Sequence, residues 1–514
     1  MTKKTRTQKA FYNSVSPLIL FTMKLIMQFV NRTLFIKYLG IYYLGLNGVF
    51  SNVLGMLSLA ELGFGISIIY ALYKPIAENK KEKVLAYMNL YSKAYKFIAI
   101  IIFLIGIVVY PFLPTILQTT SLNFEETCIY FLFLINSIVG YLLFSYKRGL
   151  LIANQENYIV SWLEFVLYFL ITICQWLVMI FTQNYIFVLI LTICYSISSN
   201  LLIAFVANKR YSLVNIVPDA LTQEEKNSLK KNVLGNILGK ISGFVVFSTD
   251  NILISTFISV TTVGLYSNYT IITTSFATLI NQIMVSQTAS VGNLIHTSSS
   301  DKVYEVFKRY HFINFAISYI VSILIFVLIN PFITIWLGDE YLFKQEVVAI
   351  LSIYFFMHNY RNAGFIVRDA YGLYWESRYK PIAEAVSNLV FSLLFLVVFK
   401  WGISGILLGT ICSNLLTNTW YEPYIIFKYG LKMTIKEYIW INIQQWAVYF
   451  STLLGLYFLA PQKWFDPSLL GWLQLAVVLG SSLIVVLLIV FHKDATFRWW
   501  LNFVKQAFIK IRRK

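Results

Sequence analysis

Long apolar segments recur along the whole chain and are separated by short polar connections. Each segment is long enough to cross a hydrocarbon layer of about 30 Å as a helix that rises about 1.5 Å per residue. An even number of spans also places both termini on one side of the membrane. The pattern predicts fourteen membrane-spanning helices, near residues 16–36, 44–70, 97–117, 128–146, 160–182, 185–207, 234–258, 270–292, 311–335, 347–367, 381–399, 403–424, 440–460 and 469–491.

Composition supports this interpretation. Of the 514 residues, 58% are apolar and 12% are charged, whereas soluble domains carry about 25% charged residues. No polar segment is long enough to fold as a soluble domain, so we predict an all-α polytopic membrane protein. The four cysteines lie in or beside apolar segments without paired spacing, which favours neither a disulfide framework nor a metal site.

The basic residues set the orientation. Of the 41 Lys and Arg, 32 fall in connections on the side of the N-terminus, four on the opposite side and five within spans. Basic residues concentrate in cytoplasmic loops, so both termini are predicted to be cytoplasmic. The formal net charge of +18 thus explains topology and gives no reason to predict a nucleic-acid partner. In the basic tail, 492–514, apolar residues at helical spacing predict an amphipathic helix on anionic membrane lipids.

The connections offer little for catalysis. The outer ones are about ten residues or fewer, too short to hold acid and base groups over a substrate. The longest cytoplasmic connection, 208–233, lacks a Gly-rich phosphate loop and metal-ligand spacing. We therefore predict a secondary transporter and not an enzyme, with no cofactor and with a proton or sodium gradient as a possible source of work.

Several charged side chains fall inside predicted spans, where each needs a partner or a water-filled cavity. In the first span, Lys24, Gln28, Asn31 and Arg32 share a sector of about 100°. The stripes on the first, seventh and tenth spans are mainly cationic, which suits phosphate or pyrophosphate groups. The predicted binding residues are Lys24, Gln28, Asn31, Arg32, Lys240 and Arg361.

Two acidic residues leave an alternative open. Glu61 and Asp250 also lie within spans. They would bind a coupling ion, or they would pair with Lys24 or Lys240 and hold helices together as static counter-ions.

A weak internal repeat links the first and seventh spans. Asn31 precedes Gly45 by 14 residues, and Asp250 precedes Gly264 by 14 residues. An offset of six helices would make the two halves parallel, with a substrate site between them.

Longer stretches carry a resemblance to a known family. The run YLGIYYLGLNGVFSNVLGMLSLAELGFGISIIYALYKPIAENKKEKV (38–84) resembles the opening of Wzx-type polysaccharide repeat-unit flippases. These belong to the multidrug/oligosaccharidyl-lipid/polysaccharide exporter superfamily. Three later stretches agree: TDNILIS with VGLYSNY, then ITIWLGDEYL, and then residues 368–416, so the resemblance covers nearly the whole chain.

The resemblance implies an architecture. Two pseudo-symmetric six-helix bundles, 1–207 and 234–438, would be joined by the linker 208–233 and would enclose a central cavity. Helices 13 and 14 (439–491) and the tail 492–514 would be appended. The family's cationic cavity would map onto Lys24, Arg32, Lys240 and Arg361.

The resemblance also implies a function. The cargo would be an oligosaccharide repeat unit on undecaprenyl pyrophosphate, moved from the inner to the outer leaflet of a bacterial cytoplasmic membrane for capsule or O-antigen assembly. Glycosyltransferases and a polysaccharide polymerase would be its partners. Two alternatives remain: an exporter of drugs or other lipid-linked precursors, which predicts acidic stripes, and a membrane polymerase, which needs a large outer loop.

Overall fold

The computed structural model is α-helical, and it describes residues 6–57, 61–213, 215–285, 288–373, 375–459 and 468–512, within which no strand occurs. In chain order the helices are α1 (Arg6–Tyr38), α2 (Ile41–Leu57), α3 (Glu61–Ala77), α4 (Lys81–Val109), α5 (Leu113–Leu117), α6 (Phe124–Leu142), α7 (Arg148–Ala153), α8 (Asn157–Thr182), α9 (Tyr185–Arg210), α10 (Gln223–Phe257), α11 (Val260–Val285), α12 (Thr288–Thr297), α13 (Ser300–Trp336), α14 (Gln345–Tyr360), α15 (Asn362–Tyr371), α16 (Lys380–Leu393), α17 (Gly402–Ile425), α18 (Lys436–Leu459), α19 (Leu469–Phe491) and α20 (Ala495–Arg512).

Every predicted span coincides with one of these helices or with a consecutive pair. The second span is divided between α2 and α3, the eighth between α11 and α12, and the tenth between α14 and α15. Among the described residues, eight helical segments are long and apolar enough to cross a membrane by themselves. The predicted fold class, an all-α polytopic membrane protein, is confirmed.

Helices are the expected solution because a spanning segment must satisfy its backbone polar groups internally. Hydroxyl side chains follow the same rule by donating to the carbonyl one turn earlier. Ser137 Oγ donates to Phe133 O at 3.0 Å, and Thr192 Oγ1 donates to Val188 O at 3.0 Å. Such bonds let serine and threonine occupy apolar helices without leaving a donor unpaired.

The chain divides into two compact units, Met1–Gly264 and Leu265–Lys514. In the first unit, α8 packs against α1 and α9, α6 packs against α4 and α9, and α10 packs against α2 and α3. The first unit therefore includes α10, the seventh predicted span. The predicted limits of the two six-helix bundles stay a prediction.

The two glycines of the internal repeat lie at equivalent places within the first unit. Gly45 is the fifth residue of α2 and Gly264 is the fifth residue of α11. A Cβ atom at Gly45 would overlap the backbone of Val260, and one at Gly264 would meet the backbone oxygen of Ile41 at 2.5 Å. Each glycine thus makes room for the first residue of the other helix, a reciprocal contact that side chains larger than hydrogen would prevent.

In the second unit, the long helix α13 packs against α14 and α19, and α16 packs closely along α17. Gly405 and Gly409 of α17 form a GxxxG spacing that faces α16 and the turn of helix after it. A Cβ at Gly409 would lie 2.5 Å from the Ser392 nitrogen. Small residues at this spacing let helix backbones approach closely in membranes.

The basic tail forms the helix α20, and its placement on anionic membrane lipids stays a prediction. Phe497 is buried and lies 5.4 Å from the ring of Phe312 on α13. Arg309 lies over the ring of Trp499 at 4.4 Å. The start of the tail therefore packs on its own unit, while Arg498 and Lys505 are exposed.

Candidate functional site

The predicted polar stripe on α1 lies next to the face that packs on α8. Leu20 and Met27 of α1 are buried against Phe165 of α8. Asn31 Oδ1 accepts a hydrogen bond of 3.1 Å from the indole Nε1 of Trp176. This hydrogen bond ties Asn31 of α1 to α8.

The two cations of the stripe, Lys24 and Arg32, are partly buried. Lys24 is half-buried, and its Nζ lies 5.6 Å from the ring centroid of Tyr168 on α8, within the range of a cation–π interaction. Arg32 is half-buried, and Gln28 is exposed. The predicted stripe on α1 therefore carries two cations two turns apart, and both are partly accessible.

The first unit contains a cavity of about 610 Å³, which α8 lines in part and which we call the tyrosine cavity. Helices α3, α4, α6, α8 and α9 contribute to its walls, together with the short helix α7. Its charged residues are Arg148 and Glu164, which form an ion pair with an Nη2–Oε1 distance of 2.5 Å. Its main polar and aromatic residues are Tyr91, Tyr95, Tyr141, Tyr195, Asn136 and Asn200.

The tyrosines are held by one another and by glycines. The Tyr91 and Tyr95 hydroxyls are 3.0 Å apart, and the Tyr95 and Tyr141 rings meet edge to face with centroids 5.5 Å apart. A Cβ at Gly65 would lie 2.8 Å from the Tyr91 hydroxyl, and one at Gly149 would lie 2.8 Å from its ring. Glycine is therefore required at both positions for Tyr91 to occupy this wall.

The amides of the cavity are also fixed. Asn136 Oδ1 accepts a 2.7 Å hydrogen bond from Ser196 Oγ, and Asn200 Nδ2 donates to the Val139 carbonyl at 3.3 Å. A chain of rings connects this cavity to the α1 stripe. The Tyr195 and Tyr168 rings have centroids 6.3 Å apart, and Tyr168 is the residue beneath Lys24.

Arg361 lies in a different setting, between α14 and α15 in the second unit. Its Nη1 donates to Asn414 Oδ1 at 2.7 Å and to Glu384 Oε1 at 3.3 Å. Asn418 Nδ2 also donates to Glu384 Oε1, at 2.6 Å. The charge of Arg361 is therefore already balanced by a buried carboxylate.

A second set of charges continues from this pair. Glu422 is buried and accepts from Arg368 Nη1 and Lys380 Nζ, both at 3.1 Å. Arg368 also pairs with Asp369 at 2.7 Å. We call this group the ionic network; it balances three basic and three acidic residues: Arg361, Arg368, Lys380, Asp369, Glu384 and Glu422.

The remaining predicted residues are placed only in part. Asp250 of α10 is buried, and its Oδ1 has no hydrogen-bond partner among the described residues. The side chains of Glu61 and Lys240 lie outside the described part of the structure, although both residues belong to helices. The structure thus brings Lys24 and Asn31 together against α8, and it assigns Arg361 to the ionic network.

The tyrosine cavity was not predicted from the sequence. Its signal is present as polar and small residues at helical spacing, such as Asn136 and Gly140 on α6 and Ser196 and Asn200 on α9. Arg148 lies in a predicted cytoplasmic connection, where a basic residue is explained by orientation alone, so the sequence does not indicate its pairing with Glu164.

The apolar helices and the fold define an all-α, multi-pass membrane protein. No protein-family model and no curated protein sequence matches the chain. Solved structures do. A multidrug resistance MATE family transporter of the MOP superfamily, in an inward-facing conformation, superposes with a TM-score of 0.62 and 16% identity over 82% of this chain and 99% of the transporter.

Two further structures share the fold. The lipid II flippase MurJ, in an inward closed conformation, gives a TM-score of 0.60 at 16% identity and covers 92% of this chain and 98% of the flippase. A MOP superfamily transporter from Pyrococcus furiosus, described as having a binding pocket of reverse polarity, gives 0.54 at 14% identity over 84% of this chain and 100% of its own. At these identities the likeness concerns the fold alone.

Proposed function

We propose that this chain is a flippase of the same superfamily that moves undecaprenyl-pyrophosphate-linked oligosaccharide repeat units from the inner to the outer leaflet. The observation that carries the proposal is the fold shared with a lipid II flippase over 92% of this chain. Sequence stretches that resemble Wzx-type flippases support the same class of cargo. The destination would be capsule, O-antigen or a related polymer.

The pyrophosphate would be bound by cations on the predicted stripes. Lys24 and Arg32 are half-buried on α1, and the described part of that stripe contains no acidic residue. Water and salt screen the charge of a half-buried cation less than that of an exposed lysine, so the half-buried cation attracts a phosphate group more strongly. Lys240 belongs to the same proposal. Arg361 would bind the pyrophosphate only if the cargo replaced Glu384 as the partner of its guanidinium.

Asp250 is the best-placed candidate for coupling to a proton or sodium ion. A buried carboxylate without a partner is costly, so it favours an occupant or a proton. Among the described basic side chains, none forms an ion pair with Asp250. Lys24 is therefore not its static counter-ion, and Lys240, whose side chain lies outside the described part of the structure, stays the alternative partner.

The competing function is export of drugs, because multidrug transporters share the fold with TM-scores up to 0.62. A pocket for cationic drugs would gain from acidic residues, whereas the described stripe on α1 is cationic. An ethidium efflux assay distinguishes the two functions. Efflux that depends on this chain, without any effect on surface polymer, would favour the drug exporter.

The test of the flippase uses cells in which this chain alone supports polymer export. We expect Lys24→Ala and Arg32→Ala each to lower surface polymer about tenfold, the effect of losing a charge-assisted hydrogen bond. Membrane abundance of the protein should not change. Lys37→Ala is the matched control, because Lys37 is an exposed cation on the same helix. Full export by the Lys24/Arg32 double variant would overturn the pyrophosphate assignment.

A further inference from the structure

The tyrosine cavity has no role in pyrophosphate binding, because its charges cancel. Among the described residues, Arg148 and Glu164 are the only charged ones that line it, and they are paired with each other. A pyrophosphate would need net positive charge, and a cationic drug would need net negative charge. The ligand that fits a polar cavity without net charge is itself neutral and rich in hydrogen-bonding groups.

The uncharged residues that line the cavity are chemically complementary to a carbohydrate. Sugar rings present hydroxyl groups around their edges and apolar C–H faces. Four tyrosines offer ring faces and edges with a hydroxyl at the tip, and two asparagines offer both donors and acceptors. A volume of about 610 Å³ lies within the usual range for small-molecule sites, about 300–1,000 Å³.

Two polar atoms of this cavity are buried without a partner. Ser199 is 4% exposed, and its Oγ forms no hydrogen bond within the described residues. The Nε of Arg148 is also buried and unpaired there, although the same guanidinium pairs with Glu164 through Nη2. Buried polar groups are normally satisfied, so two such atoms on one cavity indicate a ligand that supplies the missing partners.

We propose that the tyrosine cavity binds the sugar residues of the lipid-linked cargo, apart from the cations that bind its pyrophosphate. This inference rests on the proposed function and adds the location at which the oligosaccharide is recognised. Under the predicted topology, Asn136, Tyr141 and Arg148 lie towards the cytoplasmic end of α6 and the connection after it. Sugars attached to a lipid of the inner leaflet would reach this end first.

The cavity can be filled without disturbing its walls. Gly140 of α6 lines it, and a Cβ at Gly140 would have no atom within 4 Å. Gly140→Leu therefore adds a side chain to the cavity at a position where its Cβ meets no atom. Gly480→Leu on α19 is the matched control, because a Cβ there also meets nothing within 4 Å and lies outside the cavity.

A pair of serines gives a second, milder test. Ser199→Ala removes the unpartnered hydroxyl and leaves no donor stranded, so the protein should remain as stable as before. Ser137→Ala is the control, because Ser137 also lines the cavity but its hydroxyl already donates to Phe133 O at 3.0 Å. Only the first change removes a group that is free to bind sugar.

The experiment measures binding by the full chain in nanodiscs with two probes. One is undecaprenyl pyrophosphate, and the other is the undecaprenyl-pyrophosphate-linked repeat unit extracted from polymerase-deficient cells. We expect wild type to bind the glycosylated lipid more tightly. Gly140→Leu should weaken its binding at least about tenfold and Ser199→Ala about fivefold, with undecaprenyl pyrophosphate unaffected.

Each result is decisive. If Gly140→Leu and Ser199→Ala leave binding of the glycosylated lipid unchanged, or weaken both probes equally, the sugar site is overturned while the flippase proposal stands. If wild type binds neither lipid, the proposed function fails and the sugar site fails with it. Should Gly140→Leu fail to fold, the Ser199→Ala and Ser137→Ala pair decides alone.

Discussion

The two units bury polar groups in different ways. The tyrosine cavity of the first unit holds one ion pair, in which Arg148 and Glu164 remain 40% and 21% exposed, and two of its polar atoms have no partner among the described residues. The ionic network of the second unit packs six charges, and its central carboxylate, Glu422, is 3% exposed. The first arrangement lines a cavity with one ion pair, whereas the second pairs three basic with three acidic side chains and leaves Arg361 Nε as a buried atom without a partner among the described residues.

The difference shows that a charge inside a span is not by itself a sign of substrate binding. A charge in the membrane needs a partner or water, and the second unit provides partners. Arg361, Arg368 and Lys380 also surround the ring of Phe365, at 5.1, 4.8 and 5.0 Å from its centroid. The network therefore joins α14, α15, α16 and α17 into one structure.

The largest effect is expected where the network is broken. Glu422→Ala would leave Arg368 and Lys380 without the carboxylate between them, and removing one partner of a buried ion pair costs about 3–5 kcal/mol. We expect the protein to lose most of its accumulation in membranes, as measured by quantitative immunoblot and by thermal unfolding of any purified protein. Glu305→Ala, which breaks an exposed pair with Arg309, is the control and should have little effect. Normal stability of Glu422→Ala would show that the network is not structural.

A smaller effect is expected for the ion pair of the first unit. Glu164→Ala breaks a pair that is partly solvated, and such pairs contribute about 0–1 kcal/mol. The purified variant should unfold at nearly the wild-type temperature. It should nevertheless bind the glycosylated lipid less well, because Arg148 would add an unbalanced charge to a neutral cavity. A loss of stability as large as that of Glu422→Ala would remove the distinction between the two units.

The smallest effect concerns a surface contact of the first unit, which provides a baseline. Glu225 pairs with Lys83 at 2.6 Å and caps α10 by accepting from the Thr222 nitrogen at 2.9 Å. The hydrogen bond from Lys83, followed by that from Thr222, lowers the pKa of the Glu225 carboxyl. A lowered pKa in the folded state stabilises the protein above the ordinary value of the unfolded chain, and this contribution is lost as pH falls through the lowered pKa.

Glu225→Gln tests that contact because glutamine keeps the capping acceptor and removes the charge. We expect a loss of about 0.5 kcal/mol near neutral pH. The difference from wild type should shrink as the pH falls below about 4, the ordinary pKa of a carboxyl group, and through the lowered pKa of Glu225. Thermal unfolding in detergent over this pH range gives the comparison. A difference that grows on acidification would contradict the assigned direction of the pKa.

Sequence patterns predicted the helices well and the pairing of charges poorly. Apolar length and loop charge are local properties, so all fourteen spans coincide with helices. The glycines Gly45 and Gly264, recognised by their equal spacing from Asn31 and Asp250, do lie in equivalent contacts. The repeat in the sequence therefore corresponds to a pair of equivalent contacts in the structure.

Partners across helices are not local. The sequence placed Arg361 on a cationic stripe, but its carboxylate partner, Glu384, lies 23 residues away on α16. Glu384 lies near the end of its predicted span, where carboxylates commonly cap a helix or face the membrane interface, so its position in the sequence does not point to Arg361. The tyrosine cavity was missed for a related reason: six helices contribute small polar faces to it, and no single face has an unusual composition.

The most direct test of the central claim is transfer of the lipid-linked repeat unit across the bilayer of liposomes that contain the purified chain. We predict transfer that depends on the protein, falls about tenfold in Lys24→Ala and Arg32→Ala, and is preserved in Lys37→Ala. Liposomes in which wild type moves ethidium but not the lipid-linked oligosaccharide would contradict the account.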